Sequence, residues 1–201
     1  MSYIVHSNFI YLAHPRTASI ATERMLASTF SKSGGRKTSP HHLGIPQIQH
    51  SNLITGGELV FTTVRNPLDL IVSWWVIMPP RHYKSLLEFV YTFEHAQFMQ
   101  LTNMPGEYRL FYFLHQCDCV LRFENLRSSL PKFVKNRLNA APTPFRKCNV
   151  TKDKKPWWTY HTEETIEAMF MRFPRDMRFY YINNEEAVED WRGQNAVQTD
   201  K

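Results

Sequence analysis

The amino-acid sequence predicts an α/β fold with a central parallel sheet flanked by helices. Three observations carry that reading. Short, continuous apolar runs recur along the chain, each is followed by a stretch with helical periodicity, and two of the intervening turns hold an arginine. Strands that alternate with helices imply parallel pairing through right-handed crossovers. Ligands of such sheets sit beyond the carboxyl ends of the strands.

The first strand is Phe9-Ile10-Tyr11-Leu12-Ala13, apolar throughout, as burial on both faces requires. His14-Pro15-Arg16-Thr17 turns into a helix over about 18–30, with Ala21, Met25 and Leu26 as its apolar stripe. Residues 31–57 are rich in Ser, Gly, Pro and His and read as a loop, of a length that is commonly functional. The run 59–64 is the second strand. Asn66 can then cap a helix and Pro67 suits its first position. Leu70, Trp74 and Met78 recur every four residues until Pro79-Pro80 ends the run. Residues 83–101 read as a helix with Leu86, Leu87, Val90, Phe93 and Phe98 on one face. A third strand over 118–123 leads into a helix near 129–138, and 140–158 is a Pro- and Lys-rich loop. Thr162 opens a helix with Ile166, Met169, Phe170 and Phe173 at i, i+3, i+4 and i+7. One domain over 1–182 is expected, followed by a frayed polar tail, 183–201.

A length of 201 residues suits one domain with its own core, and 43% hydrophobic residues exclude a disordered chain. The net charge of +6 and pI near 9.3 favour an anionic partner. A polyphosphorylated nucleotide, an acidic glycan and a nucleic acid all fit. Cys117, Cys119 and Cys148 are too few and odd in number for a disulfide framework, and their spacing is not that of a structural zinc site. No leader pattern opens the chain and no run approaches the ~20 apolar residues of a membrane span. A soluble, cytoplasmic protein is expected.

Two turns carry chemistry. In Pro15-Arg16-Thr17-Ala18-Ser19-Ile20-Ala21-Thr22, unsatisfied amides and the positive end of a helix form a ready anion site. Arg16 adds a permanent cation, and Thr17 and Ser19 add hydroxyls; a plain capped helix start is the structural alternative. In the second turn Arg65 stands at the mouth of a strand and Ser73 follows eight residues later, two turns into the helix. A guanidinium and a hydroxyl so spaced can grip one phosphate from two sides. Between the turns lies His41-His42, 23 positions before Arg65 counting from His42. Imidazole titrates near neutral pH and can accept an acceptor's proton; two exposed loop histidines are the alternative. The pattern Gly-x-x-x-x-Gly-Lys-Ser/Thr is absent, which weakens a reading as an ATP- or GTP-hydrolysing protein.

Together these blocks resemble the sulfotransferases that use 3'-phosphoadenosine-5'-phosphosulfate (PAPS), particularly small carbohydrate-type members. Arg65-Asn66-Pro67-x-Asp69-x-x-x-Ser73 resembles their 3'-phosphate motif. The loop from Pro15 resembles their 5'-phosphosulfate loop, usually Pro-Lys/Arg-Thr-Gly/Ala-Ser/Thr-Thr. Arg16 stands where many members have Lys, and Ala18 and Ile20 depart from the commonest form. Arg is a larger, planar donor that keeps its proton.

The resemblance implies a three-layer, P-loop-like fold and a sulfuryl transfer from PAPS that needs no metal. It places Arg16, Thr17, Ala18, Ser19, Ile20, Ala21, Arg65, Ser73 and Lys152 at the nucleotide. One of His41 and His42 becomes the general base, and Arg16 stabilises charge on the departing phosphate. Glu124, in Leu121-Arg122-Phe123-Glu124-Asn125-Leu126, orients the loop or caps the next helix. Segment 149–158 stands where a basic loop covers the nucleotide, with a Trp able to stack on adenine and lysines that hold the 3'-phosphate or lie exposed. Asp69 is structural, bonding backbone or an arginine, and Trp74 and Trp75 belong to the core or a cleft wall, or one of them borders the adenine. Residues 176–181 resemble the closing helix of carbohydrate sulfotransferases. The acceptor is a hydroxyl or amine, with a carbohydrate preferred. The alternatives are a nucleotide-dependent kinase on a similar sheet, a sulfotransferase that binds without reacting, and a non-catalytic polyanion-binding module. For the last, a basic stripe interleaved with aromatics exists only at 152–158.

Overall fold

The computed structural model describes residues 3–14, 16–30, 36–37, 57–77, 83–93, 114–146, 148, 154–181 and 184–199. In chain order the elements are β1 (Tyr3–His6), β2 (Phe9–Leu12), α1 (Ser19–Thr29), β3 (Arg36–Lys37), β4 (Leu59–Val64), α2 (Pro67–Trp75), α3 (Leu86–Thr92), β5 (Cys119–Arg122), α4 (Leu126–Arg137), α5 (Glu163–Arg172), α6 (Pro174–Tyr180) and α7 (Asn184–Thr199). Short 3-10 turns cover Leu114–Gln116, Phe123–Asn125 and Trp157–Thr159. The class is α/β. No helix among the described residues is long and apolar enough to cross a membrane.

One sheet has the order β3-β1-β2-β4-β5. Its centre is parallel, β2 with β4 and β4 with β5, as the apolar runs predict. Its far edge is not: β1 runs antiparallel to β2, and β3 antiparallel to β1. The sheet is therefore mixed, and both extra strands escape a reading of apolar runs. β3 is a two-residue basic pairing with no periodicity, and β1 is a four-residue strand ending in a histidine. The register pairs Leu12 with Thr62 and Val64 with Arg122, so the carboxyl ends of the parallel strands lie together.

The chain divides into two compact units, 1–65 with 111–150, and 66–110 with 151–201. The first unit contains the sheet, α1 and α4. Its core joins Phe9, Tyr11 and Phe61 of the strands to Met25 and Leu26 of α1 and to Leu126, Leu130, Phe133 and Val134 of α4. Phe61 and Phe133 ring centroids are 4.6 Å apart. α4 begins three residues before the expected start at 129, so Pro131 falls inside the helix. Pro removes one helical hydrogen bond. The buried stripe Leu126, Leu130, Phe133 and Val134 outweighs that loss.

The second unit is helical. Asn66 caps α2 by accepting from the Leu68 amide at 2.9 Å, and Pro67 takes the first position. Thr162 and Thr165 form a reciprocal capping box at α5, whose Ile166 and Met169 are buried. α3 packs on α5, and α5 on α6 and α7. α3 is shorter than the expected 83–101; residues 94–101 lie outside the described residues. The frayed tail is corrected: α7 is a helix with Ala187 and Val188 buried, and the Trp191 indole donates to the Trp158 carbonyl at 2.9 Å. Alternation of apolar and acidic residues hid it, because Ala187, Val188 and Trp191 are few among glutamates.

His161 is buried, with Nε2 2.9 Å from the Leu68 carbonyl and Nδ1 3.2 Å from the Thr165 hydroxyl. Burial lowers its pKa to about 4, against the opposing pull of the Leu68 carbonyl. The unfolded chain takes up this proton near the ordinary value of 6.5, but the folded chain refuses it down to about 4. Stability from this site is therefore fully present above the ordinary value and declines as pH falls through that window, by at most about 3 kcal/mol. Urea unfolding between about pH 7 and about pH 4.5 checks this. The stability of the native chain should fall more steeply than that of His161→Gln; parallel slopes would contradict it.

Candidate anion-binding site

β2 ends at Leu12, and the next two residues, Ala13 and His14, remain buried. The chain then turns into α1 through Arg16, Thr17 and Ala18. Arg16 and Ala18 both have positive φ, 63° and 60°. Left-handed backbone strains a residue with a Cβ, by roughly 1–3 kcal/mol each, and such strain clusters at ligand clamps. Ala18 occupies the N-cap of α1 without a side-chain hydrogen bond, and the first turn contains no carboxylate. Nothing in the helix's own sequence there neutralises its positive end.

A chain of buried hydroxyls holds the strained turn. Thr17 is fully buried and its Oγ1 donates to the His14 carbonyl at 2.9 Å. Thr17 Oγ1 also lies 2.9 Å from Thr63 Oγ1, which lies 2.8 Å from the Tyr11 hydroxyl. A hydroxyl has one proton to give. Since Thr17 gives its proton to His14, Thr63 donates to Thr17 and Tyr11 donates to Thr63. Burial raises the Tyr11 pKa, which keeps the phenol in its donating form. Thr17 thus spends its hydroxyl inward; what it can offer an anion is its backbone amide.

Arg65 follows β4 directly. Its Nη1 donates to the Arg16 carbonyl at 3.0 Å, and its guanidinium carbon lies 4.3 Å from the centroid of the Phe123 ring. One end of the fork is tied to the loop and one face is covered by an aromatic ring. Burial, and after it the charge of Arg65, push the Arg16 guanidinium below its ordinary value. Two cations are thus held together beside an uncapped helix start. An anion that met both would relieve their repulsion and accept the helix amides.

Within the first unit the structure brings together Arg16, Thr17, Ala18, Ser19 and Arg65. Ile20 is 40% exposed at the helix start, whereas Ala21 is buried and can contribute only backbone. Glu124 lies exposed in the 3-10 turn before α4. In the second unit Ser73 is buried on α2. Asp69 pairs with Lys154, which commits one lysine of the basic loop. Trp74 lies tilted against Phe93, with centroids 6.2 Å apart, and Trp75 packs edge-on against Tyr160 at 5.5 Å, so both serve packing. His41, His42 and Lys152 lie outside the described residues.

The three cysteines are free, and burial pushes the Cys117 thiol up to about 12. Among the described residues no group of His, Cys, Asp and Glu could hold a metal ion. Tyr11, Thr63 and Phe123 are site residues that the sequence reading passed over. Thr62-Thr63 interrupts an otherwise apolar buried strand, and buried hydroxyls require partners; that signal was present. No family model matches the chain, and neither a curated protein nor a solved structure is significantly similar to it.

Thr63→Val keeps the side-chain shape and removes the middle of the hydroxyl chain. It leaves the Tyr11 phenol without its acceptor, at about 1–3 kcal/mol. Denaturant unfolding should show that loss, and Tyr11→Phe in the same background should restore part of it, because both polar partners are then gone. Strict additivity of the two losses would contradict the chain.

Proposed function

We propose that the chain transfers a sulfuryl group from PAPS to a hydroxyl or amine acceptor, with a carbohydrate as the preferred acceptor class. The observation that carries the reading is the pairing of Arg65 with the Arg16 carbonyl beside the uncapped start of α1. A nucleotide with phosphates on both sides of its ribose matches that pairing. Its 5' side takes the α1 amides and Arg16, and its 3' side takes Arg65. The motif resemblance adds a P-loop-like character to the sheet.

When bound, PAPS supplies an activated sulfuryl group on a phosphate leaving group. The acceptor oxygen forms a bond to sulfur as the sulfur–oxygen bond to the 5'-phosphate breaks, and adenosine 3',5'-bisphosphate departs. Arg16 and the amides at 19–21 stabilise the charge that grows on that phosphate. Arg16 needs no proton donor of its own, since it never gives its proton up. By resemblance, His41 or His42 takes the acceptor's proton. Arg65 holds the nucleotide at a position remote from the reacting sulfur, so it serves binding more than chemistry.

The two arginines should therefore separate in kinetics. Arg65→Ala should weaken calorimetric binding of adenosine 3',5'-bisphosphate by roughly 10- to 100-fold, the loss of one charge-assisted contact. Arg16→Ala should lower turnover by roughly 100-fold or more, with labelled PAPS and a panel of hydroxyl acceptors. Unchanged nucleotide affinity in Arg65→Ala would overturn the assignment. Tighter binding of ATP with magnesium than of the bisphosphate would favour a kinase instead.

A further inference from the structure

The first unit carries four carboxylates, Glu23, Glu58, Asp118 and Glu124. Three of them are accounted for. Asp118 accepts from the Val60 amide at 2.8 Å, Glu58 has an interaction partner, and Glu124 lies exposed. Glu23 differs. It is only 7% exposed, yet among the described residues it accepts no hydrogen bond and forms no ion pair. Buried carboxylates are ordinarily paired, because desolvating the bare charge is costly. One without a protein partner calls for a ligand or solvent to complete it.

The place of Glu23 on α1 sets what such a ligand meets. It stands one turn beyond Ser19, on the same side of the helix and about 6 Å along the axis from the anion seat at the helix start. Ile20, its neighbour three residues back, is 40% exposed. Arg24, the next residue, points about 100° away round the helix and donates to the Cys148 sulfur at 3.2 Å. Inward, the Glu23 charge reaches Tyr11, the end of the hydroxyl chain that holds the turn. Burial is the main cause of the raised Tyr11 pKa, and the Glu23 charge adds to it. One helix thus presents an anion seat and, a turn further on, a bare carboxylate with an apolar residue beside it.

We propose that Glu23 holds a protonated amine of the acceptor, which makes an amino sugar with a free ammonium the acceptor class. As part of an acceptor site this rests on the transfer reading; as an ammonium site it stands alone. A carboxylate offers only acceptor oxygens, and an ammonium brings three N–H groups together with the opposite charge. A neutral sugar hydroxyl brings one proton and no charge, and a sulfated or carboxylated glycan would set like charges together. Ile20 offers apolar contact to the ring carbons. The ammonium is a handle and not the nucleophile, since a protonated nitrogen has no lone pair; the reacting group is a hydroxyl of the same sugar. Arg16 and Arg65 repel a cation until the nucleotide neutralises them, so the amine binds more tightly once the nucleotide is in place.

Calorimetry in mildly acidic buffer, where the amine carries its proton, tests this with two probes, a glucosamine trisaccharide and its fully N-acetylated counterpart. The acetylated probe has the same ring hydroxyls and no charge. The native chain should bind the glucosamine probe roughly tenfold more tightly than the acetylated one, the size of one charge-assisted contact, and the difference should widen with adenosine 3',5'-bisphosphate present. Glu23→Gln keeps the shape and removes the charge. It should bind both probes equally while keeping native affinity for the bisphosphate, which also shows that it is folded. Glu23→Asp restores the charge on a shorter stem and should recover part of the preference. Failure of the native chain to bind the bisphosphate would overturn the transfer reading and leave the ammonium site, which the titrations without nucleotide read by themselves. No preference for the glucosamine probe in the native chain, or a preference undiminished in Glu23→Gln, would overturn the proposal.

Discussion

Arg65 donates to the carbonyl of Arg16 at 3.0 Å while its flat face lies over Phe123 at 4.3 Å. That contact draws on three strand ends at once. Arg16 follows β2, Arg65 follows β4, and Phe123 follows β5. Parallel pairing in register is what makes those ends neighbours, because Leu12 meets Thr62 and Val64 meets Arg122. A slip of one residue would turn every side chain of a strand to the other face. The apolar packing of Phe9, Tyr11, Phe61 and Phe133 resists such a slip. The core therefore sets the register, and the register sets the distance between the two cations.

The strained turn between β2 and α1 needs its own support. Positive φ at Arg16 and Ala18 is tolerated because Thr17, between them, is locked into the interior by Thr63 and the His14 carbonyl. The second unit secures the helix after Arg65 by a comparable device. Asn66 uses both ends of its amide. Oδ1 accepts from Leu68, and Nδ2 donates to the Tyr181 hydroxyl at 2.5 Å, which in turn donates to Asp190 at 3.0 Å. The start of α2 is thus tied to α7 through two side chains. In both units polar chains hold the backbone, and apolar packing supplies most of the free energy.

Much of this was legible in the sequence. Apolar runs found all three parallel strands, although only β2 is buried throughout and the edge strand β5 is at most half-buried. Asn66-Pro67 and Thr162 marked helix starts through capping chemistry that is local to a few residues. The antiparallel edge was not legible. β3 is too short to have a period, and β1 takes its place by pairing rather than by pattern. α7 was missed because its buried face is only a few residues wide in a polar stretch. The hydroxyl chain beneath the loop and the aromatic cover on Arg65 join residues far apart in the chain. Only the register brings them together, which no local reading supplies. The division into two units between Arg65 and Asn66 was equally hidden, since the chain runs from strand to helix there without a linker.

The central claim is that two neighbouring strand ends form one cationic seat for a nucleotide phosphorylated on both sides of its ribose. A crystal structure with adenosine 3',5'-bisphosphate tests it most directly. The account requires the 5'-phosphate on the amides at the start of α1 beside Arg16, with the 3'-phosphate on the guanidinium of Arg65. A bound nucleotide whose 3'-phosphate lies away from Arg65, or whose 5'-phosphate avoids the α1 start, would contradict it.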